Sequence, residues 1–412
     1  MGVRLSPSAQ STIIMFSALK IRDFRLYWFG MFISLVGTWI QTIAQSWLVF
    51  KLTNSAFLLG LVSFLGALPV FLFSLFAGVL ADRVNKKNIL IFTQQAFMIL
   101  AFALAVLTQK GLITPAQIML ISFLNGIVMA FDAPSRQAVV AELVGREHIM
   151  NAVALNSAAF NSARLIGPAI AGVLIASIGM EGCFYINGIS FLAVIIALLL
   201  IKNSSFKKKA VKAVFMADLT AGLKFIKNNR PILILMSMVG ITSLFGVSYV
   251  ILMPVFANDI LKAGPAGFAA LMSATGLGAL SAALLLARLG DFRKKGKLLV
   301  FSSVVFSVSL VFFALSKSYF FSLIILAVMG WASVTAVSLI NTLIQLLSPD
   351  EFRGRSMSVF MLIFAGIMPI GNLIAGSLTH VCGVSFTVLL SGLICTAFFI
   401  LINIFYSDIR GL

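Results

Sequence analysis

The sequence predicts an all-α polytopic membrane protein: twelve transmembrane helices in two six-helix halves, with both termini cytoplasmic. Three observations predict it. First, 61% of the 412 residues are hydrophobic and 10% are charged, with a mean hydropathy of +1.10, whereas a soluble chain carries roughly a quarter charged residues. Second, the chain contains twelve apolar runs of about the 20 residues that a helix needs to cross a hydrocarbon core. Third, the second half of the chain repeats parts of the first.

The runs lie at 27–50, 56–80, 88–109, 113–135, 152–178 and 183–201, then at 231–257, 267–289, 297–315, 319–346, 356–379 and 384–406. The connections are short except for 202–230, so no soluble domain is expected. Residues 1–26 lack the short apolar core and cleavage site of a signal peptide, and the first span is expected to direct insertion.

Charge sets the orientation. With the N-terminus inside, the outer connections hold only Lys51, Lys110, Lys262 and Lys317, while 25 of the 30 Lys and Arg fall inside, eight of them between Lys202 and Arg230. That is the positive-inside bias of a cytoplasmic (inner) membrane protein. It accounts for the net charge of +18 without a nucleic-acid partner.

At a shift of 204, LVGREHIMNAVALNSAAFNSARLIGPAIAG (143–172) falls on the segment 346–376. Glu147 then meets Glu351, Phe160 meets Phe364, Gly167 meets Gly371, and Ala171-Gly172 meets Ala375-Gly376. The domain organisation expected is a half at 1–201, a basic cytoplasmic linker at 202–230 and a half at 231–412. Within the linker, Met216, Leu219, Leu223 and Ile226 recur at helical spacing, the pattern of an amphipathic helix lying on the inner membrane face.

The stretch GVLADRVNKK (78–87) puts Asp82, Arg83, Lys86 and Lys87 into the turn between the second and third spans, and ARLGDFRKKG (287–296) is its worn partner. The stretch resembles the loop signature G-x-L-a-D-R-x-G-R-K of the major facilitator superfamily, with Asn85 in place of the usual Gly. FDAPSRQAVVAELV (131–144) and ARLIGPAIAG (163–172) resemble the branch that contains the enterobactin exporter and bacterial macrolide-efflux proteins. The resemblance implies the major facilitator fold and alternating access. It gives Asp82 and Arg83 a gating role, with Asp82 at a helix N-terminus and Arg83 paired with an acid such as Asp132 or Glu142. The other reading of Arg83, Lys86 and Lys87 is topological anchoring alone.

Charges within spans cost roughly 2.5–3.5 kcal/mol each on insertion scales and mark function. Arg164 is such a residue, and its repeat counterpart is the neutral Met368. It reads either as a coupling residue or as a structural cation bound to helix-end carbonyls. Asp132 and Arg136 are four apart and share a helix face. Asp132 is expected either to exchange between Arg136 and Arg164 while carrying a proton, or to form a fixed pair at the membrane edge. Around Gly167 and Pro168, the small residues Ala163, Gly167 and Ala171 form a smooth packing face. The face resembles the fifth-helix signature of exporters.

By the family layout, the first, fourth, seventh and tenth spans line the centre. Their polar and aromatic residues Gln41, Gln45, Asn125, Thr242, Tyr249, Trp331, Ser338 and Asn341 are the substrate-binding candidates, each equally readable as an interhelical hydrogen bond. No acid occupies the centre of these faces, which favours a neutral or anionic ligand over a cation.

No G-x-x-x-x-G-K-[ST] loop, metal-ligand spacing or nucleophile–base set is present. No enzyme activity, metal or cofactor is therefore expected. The reading is a monomeric secondary transporter that exports an amphipathic small molecule, siderophore or drug-like, by proton antiport. An importer of a metal-chelate or nutrient, or a lipid flippase, are the alternatives.

Overall fold

The computed structural model describes residues 17–201, 215–290, 292–406 and 410–411, with the side chains of 74–75, 79–83, 146 and 215–221 outside the description. Among these residues the chain is helical throughout. Helix α1 (Arg22–Thr53) ends at Asn54, whose φ of 46° places it in the left-handed region that Asn tolerates better than most residues. Helix α2 (Ala56–Arg83) carries Pro69. Helix α3 (Lys86–Gln109) is capped by Asn85, whose side chain accepts the Lys87 N–H at 3.0 Å. That cap gives Asn85 a physical reason to stand where the loop signature has Gly.

Thr114 and Gln117 form a reciprocal capping box, and Pro115 occupies the first turn. The helix Pro115–Leu200 that starts there is turned at Gly145 (φ 68°) and Gly179 (φ 76°), backbone positions that glycine takes without strain. They divide it into α4 (115–144), α5 (146–178) and α6 (180–200). The helix α7 (Phe215–Asn228) follows, then α8 (Arg230–Ile260), which contains two π-turns, Thr242–Gly246 and Phe256–Ile260. Helices α9 (Gly264–Leu289), α10 (Lys295–Leu315), α11 (Tyr319–Leu347), α12 (Asp350–Cys382) and α13 (Val384–Phe405) complete the chain.

Among the described residues, eleven stretches are long and apolar enough to cross a membrane. One of them, Glu147–Leu200, has 54 residues, about 80 Å if it were straight. The Gly179 break is where it turns. Large apolar side chains face outward on these helices, with Phe92, Phe320 and Phe405 at least 70% exposed. Such a surface is stable against lipid and not against water.

The core divides unequally along the bundle. At the end far from the termini, one apolar cluster joins residues of all the spanning helices, from Ile40 and Trp47 of α1 to Phe268 of α9 and Val388 of α13. At the terminus-bearing end there are two clusters. One gathers α1, α3, α4, α5 and α6 around Tyr27, Val139 and Leu198; the other gathers α7, α8 and α10–α13 around Leu235, Ile344 and Phe399. The two groups of helices therefore pack together at the far end and separately at the other.

The repeat in the sequence has a packing counterpart. Gly167 of α5 lies against Trp39 of α1, and its repeat partner Gly371 of α12 lies against the backbone of Leu244 in α8. Gly172 meets Ala269 of α9, and Gly376 meets Ala56 of α2. Each of α5 and α12 thus leans on the first helix of its own group and the second helix of the other. Helix α7 docks at the terminus-bearing end of α12, where Phe225 stacks on Phe352 at 4.6 Å and Gly222 lies against Arg355.

Candidate functional site

A charged node lies within α1, α3 and α4. Asp132 is 1% exposed, and both of its oxygens are occupied. Oδ2 accepts Nε and Nη2 of Arg136 at 2.9 and 2.8 Å. Oδ1 accepts the Thr93 hydroxyl at 2.8 Å and Gln94 Nε2 at 2.7 Å. Four donors on one carboxylate offset the cost of taking it out of water. The Tyr27 hydroxyl, fully buried and without a hydrogen-bond partner, lies within electrostatic range of both charges. Pro134 sits inside α4, so Asp132 and Arg136 share one continuous helix. Gln94 is eight residues into α3, about 12 Å from its start, which places the node toward the terminus-bearing end.

Asp82 and Arg83 close α2, and their side chains lie outside the described residues. The acids suggested for Arg83 have other partners. Asp132 holds Arg136, and Glu142 of α4 receives the Lys86 ammonium at 2.5 Å. Lys86 is only 9% exposed, and Lys87 donates to the Ile201 carbonyl at the end of α6 at 2.9 Å. The two lysines that read most simply as topological anchors therefore tie the α2–α3 turn to α4 and α6.

Arg164 stands midway along α5 and apart from the Asp132 node. Its backbone packs on Gly276 of α9. Its guanidinium lies within electrostatic range of the Tyr249 phenol of α8, and its Nε is buried without a hydrogen-bond partner. Gly167 and Pro168, one turn further along, are buried.

The ligand-binding candidates are not gathered into one set. Gln41 accepts from Asn187 of α6 at 2.7 Å, and Gln45 donates to Ser122 of α4 at 2.8 Å, so both amides tie helices together. Asn341 accepts from Gln345 on its own helix at 2.6 Å. Thr242 donates to the Met238 carbonyl at 2.8 Å at the start of the first π-turn. Asn125, Trp331 and Ser338 are half-buried, with Trp331 edge-on to Phe301, and Tyr249 is buried beside Arg164 and Thr275. A cavity of about 670 Å³ opens between α5 and α9 beside Gly172, Val173 and Ser273, and one of about 420 Å³ lies by Lys262 and Tyr319. None of these eight residues lines either.

Sequence reasoning passed over two polar features, the α3 partners of Asp132 and a link between the two groups of helices. Thr93 and Gln94 complete the Asp132 node; with Gln95 they form a polar triplet inside an apolar run, which was the available signal. Asn372 of α12 donates to Ser63 of α2 at 2.9 Å, linking the two groups of helices. Ser243 and Thr335 belong with the polar residues that the central spans offered to a ligand; both are fully buried, and their hydroxyls have no partner. Among the described residues no cluster of His, Cys, Asp and Glu is placed to hold a metal, and Cys183, Cys382 and Cys395 are free thiols.

Residues 13–408 match the transmembrane secretion effector family of the major facilitator superfamily. The chain belongs to that family. It is 28% identical to the staphyloferrin A transporter of Staphylococcus aureus, covering 92% of this chain and 96% of that protein. It is 26% identical to macrolide efflux protein A of Streptococcus pyogenes (91% and 94% covered) and 25% identical to the enterobactin exporter EntS of Shigella flexneri (84% and 82%). Among solved structures, a POT family transporter bound to a thioalcohol-conjugated peptide superposes with a TM-score of 0.72 at 14% identity, covering 94% and 96% of the two chains. The bacterial homologue of the lysosomal transporter Spinster, inward-facing and unoccupied, gives 0.68 at 14% identity (94% and 98%). At that identity the likeness speaks for the fold alone. As a member of that family, the chain is a multi-pass membrane transporter and not an enzyme.

Proposed function

We propose that this protein exports an amphipathic small molecule, siderophore or drug-like, across the cytoplasmic membrane by alternating access coupled to proton antiport. The observation that carries the reading is the uneven core: one shared cluster at the far end, and one cluster per group of helices at the terminus-bearing end. A pore packs alike at both ends, whereas a carrier caught in one of its two states is sealed at one end only. With the termini in the cytoplasm, as the Lys and Arg distribution suggests, this is the state that loads from inside. Taking Gly179 as a turn between crossings gives twelve spans, six on each side of α7, with halves at 1–201 and 231–412 joined by 202–230. The names of the siderophore and macrolide relatives support export of such a ligand.

Asp132 is the carboxylate proposed to carry the proton. Its pair with Arg136 lies within one helix, while Thr93 and Gln94 come from α3. A local shift of α3 against α4 within that group of helices removes two of its four donors, and this exchange of partners is the proposed coupling step.

The test uses inside-out membrane vesicles with an acidic lumen. Proton release is followed on adding siderophores, macrolides and lipophilic dyes, for wild type and Asp132→Asn. One ligand class is expected to dissipate the gradient in wild type only. If no ligand draws protons while right-side-out vesicles accumulate a metal-chelate, the export reading is wrong.

A further inference from the structure

Among the described residues, the central cation of this bundle has no carboxylate of its own. Arg164 is midway along α5, half-buried, and no described acid or hydrogen-bond acceptor is paired with it. Asp132, the buried acid of the node described above, already accepts four hydrogen bonds from Arg136, Thr93 and Gln94. An arginine kept within a membrane at a cost of a few kcal/mol, with its Nε sealed from water and unbonded, has unspent donor capacity. We propose that Arg164 and the Tyr249 phenol form the anion-binding element of the transport site, and that the ligand is an amphipathic carboxylate.

Three features bear on this assignment. The guanidinium presents a planar fork that matches a carboxylate in two parallel hydrogen bonds. The Tyr249 hydroxyl, within electrostatic range of Arg164, adds a neutral donor from the other group of helices, so a bound anion touches both halves at once. The backbone of Arg164 and Leu165 is clamped against Gly276 of α9, where even a methyl group would collide, so the base of the side chain is fixed at the seam between α5 and α9. The pairing also fits the state described above: with the terminus-bearing end unsealed, an anion from that side reaches Arg164 before the far-end cluster stops it. The position is asymmetric, since Met368 occupies the equivalent place in α12, so the chain has one such cation and not two.

The inference rests on the transporter reading, and its test is independent of flux. The full-length protein in lipid nanodiscs is dialysed to equilibrium against 2-naphthoate, its neutral methyl ester and the matching cation 2-naphthyltrimethylammonium, with empty nanodiscs subtracted for partition into lipid. Saturable binding of the carboxylate alone is expected. Arg164→Met, which installs the residue of the repeat, is expected to weaken it by about tenfold or more, as loss of a charge-assisted pair does. Arg164→Lys keeps the charge without the fork and is expected to fall between. To separate binding from packing of α5, each variant is first checked for a monodisperse, correctly sized species, and Tyr249→Phe provides a milder second probe, expected to weaken the carboxylate alone. Equal binding of the cation, an unchanged affinity in Arg164→Met, or no saturable binding of 2-naphthoate to wild type overturns the proposal. Flux of a neutral or cationic compound in vesicles without charge-selective binding here leaves export standing and removes the anion site. Charge-selective binding without flux does the reverse.

Discussion

Arg136 grips Asp132 from one turn away on the same helix, through Nε at 2.9 Å and Nη2 at 2.8 Å, while Thr93 and Gln94 of the neighbouring helix fill the other carboxylate oxygen. The pair is thus both an intrahelical clasp and the point where α3 is tied to α4. Removing one member of a buried pair strands the other, at a cost of about 3–5 kcal/mol. The lower end applies here, because the Arg136 side chain is 23% exposed. Arg136→Met is therefore expected to lower the thermal unfolding midpoint in detergent more than Asp132→Asn/Arg136→Met, which leaves no charge behind. A double variant no more stable than Arg136→Met would mean that the two residues do not act as a unit.

Close approach between helices makes the next prediction. A methyl at Gly371 would overlap the backbone of Leu244, whereas one at Gly354, on the exposed first turns of α12, meets nothing within 4 Å. Gly371→Ala is expected to destabilise by about 1–3 kcal/mol through overpacking. Gly354→Ala is expected to stabilise by about 0.5–1 kcal/mol, since alanine loses less freedom in a helix. Thermal unfolding of the two variants in parallel reads both signs.

The amides on α1 separate structure from ligand contact. Gln45 is bonded to Ser122 at 2.8 Å, so Gln45→Leu is expected to cost about 0.5–1.5 kcal/mol of stability and to leave the ligand concentration for half-maximal transport unchanged. Trp331→Ala, at a half-buried aromatic on α11, is expected to raise that concentration. If Gln45→Leu raises it as well, Gln45 belongs to the ligand site and its bond to Ser122 is secondary.

How much of this was readable from the sequence follows from what each signal averages over. The helical membrane class rests on runs of some 20 residues, and no single contact can overturn it. The match of Gly167 with Gly371 was readable because both must admit another helix, one against Trp39 and one against Leu244. Single polar side chains were not readable in the same way. Nothing within α1 says whether Gln41 faces a ligand or Asn187, because that is decided by where α6 packs. Lys86 is another case. It sits in a basic turn where the positive-inside bias explains any lysine, yet it is buried against Glu142, 56 residues later in the chain. Thr93 and Gln94 were missed because α3 was read for its hydrophobicity alone.

The seal at the far end offers the most direct test of movement. Asn372 of α12, 4% exposed, reaches Ser63 of α2 at 2.9 Å. Cysteines at these two positions are within reach of a disulfide if the Cα atoms lie about 4.4–6.8 Å apart. The background variant first loses the free thiols Cys183, Cys382 and Cys395. Oxidation of Ser63→Cys/Asn372→Cys is expected to form an intramolecular bond that holds α2 on α12 and stops transport, and a reductant is expected to restore it. The reason is mechanical. A carrier releases its ligand at the far end only if the shared cluster parts there, and a covalent link across it forbids that step while leaving binding from the terminus-bearing end intact. The oxidised protein should therefore still bind ligand stoichiometrically without turning over. Full-rate transport with the link shown intact by mass spectrometry would mean that the α2–α12 contact stays closed throughout the cycle, and that release takes another route.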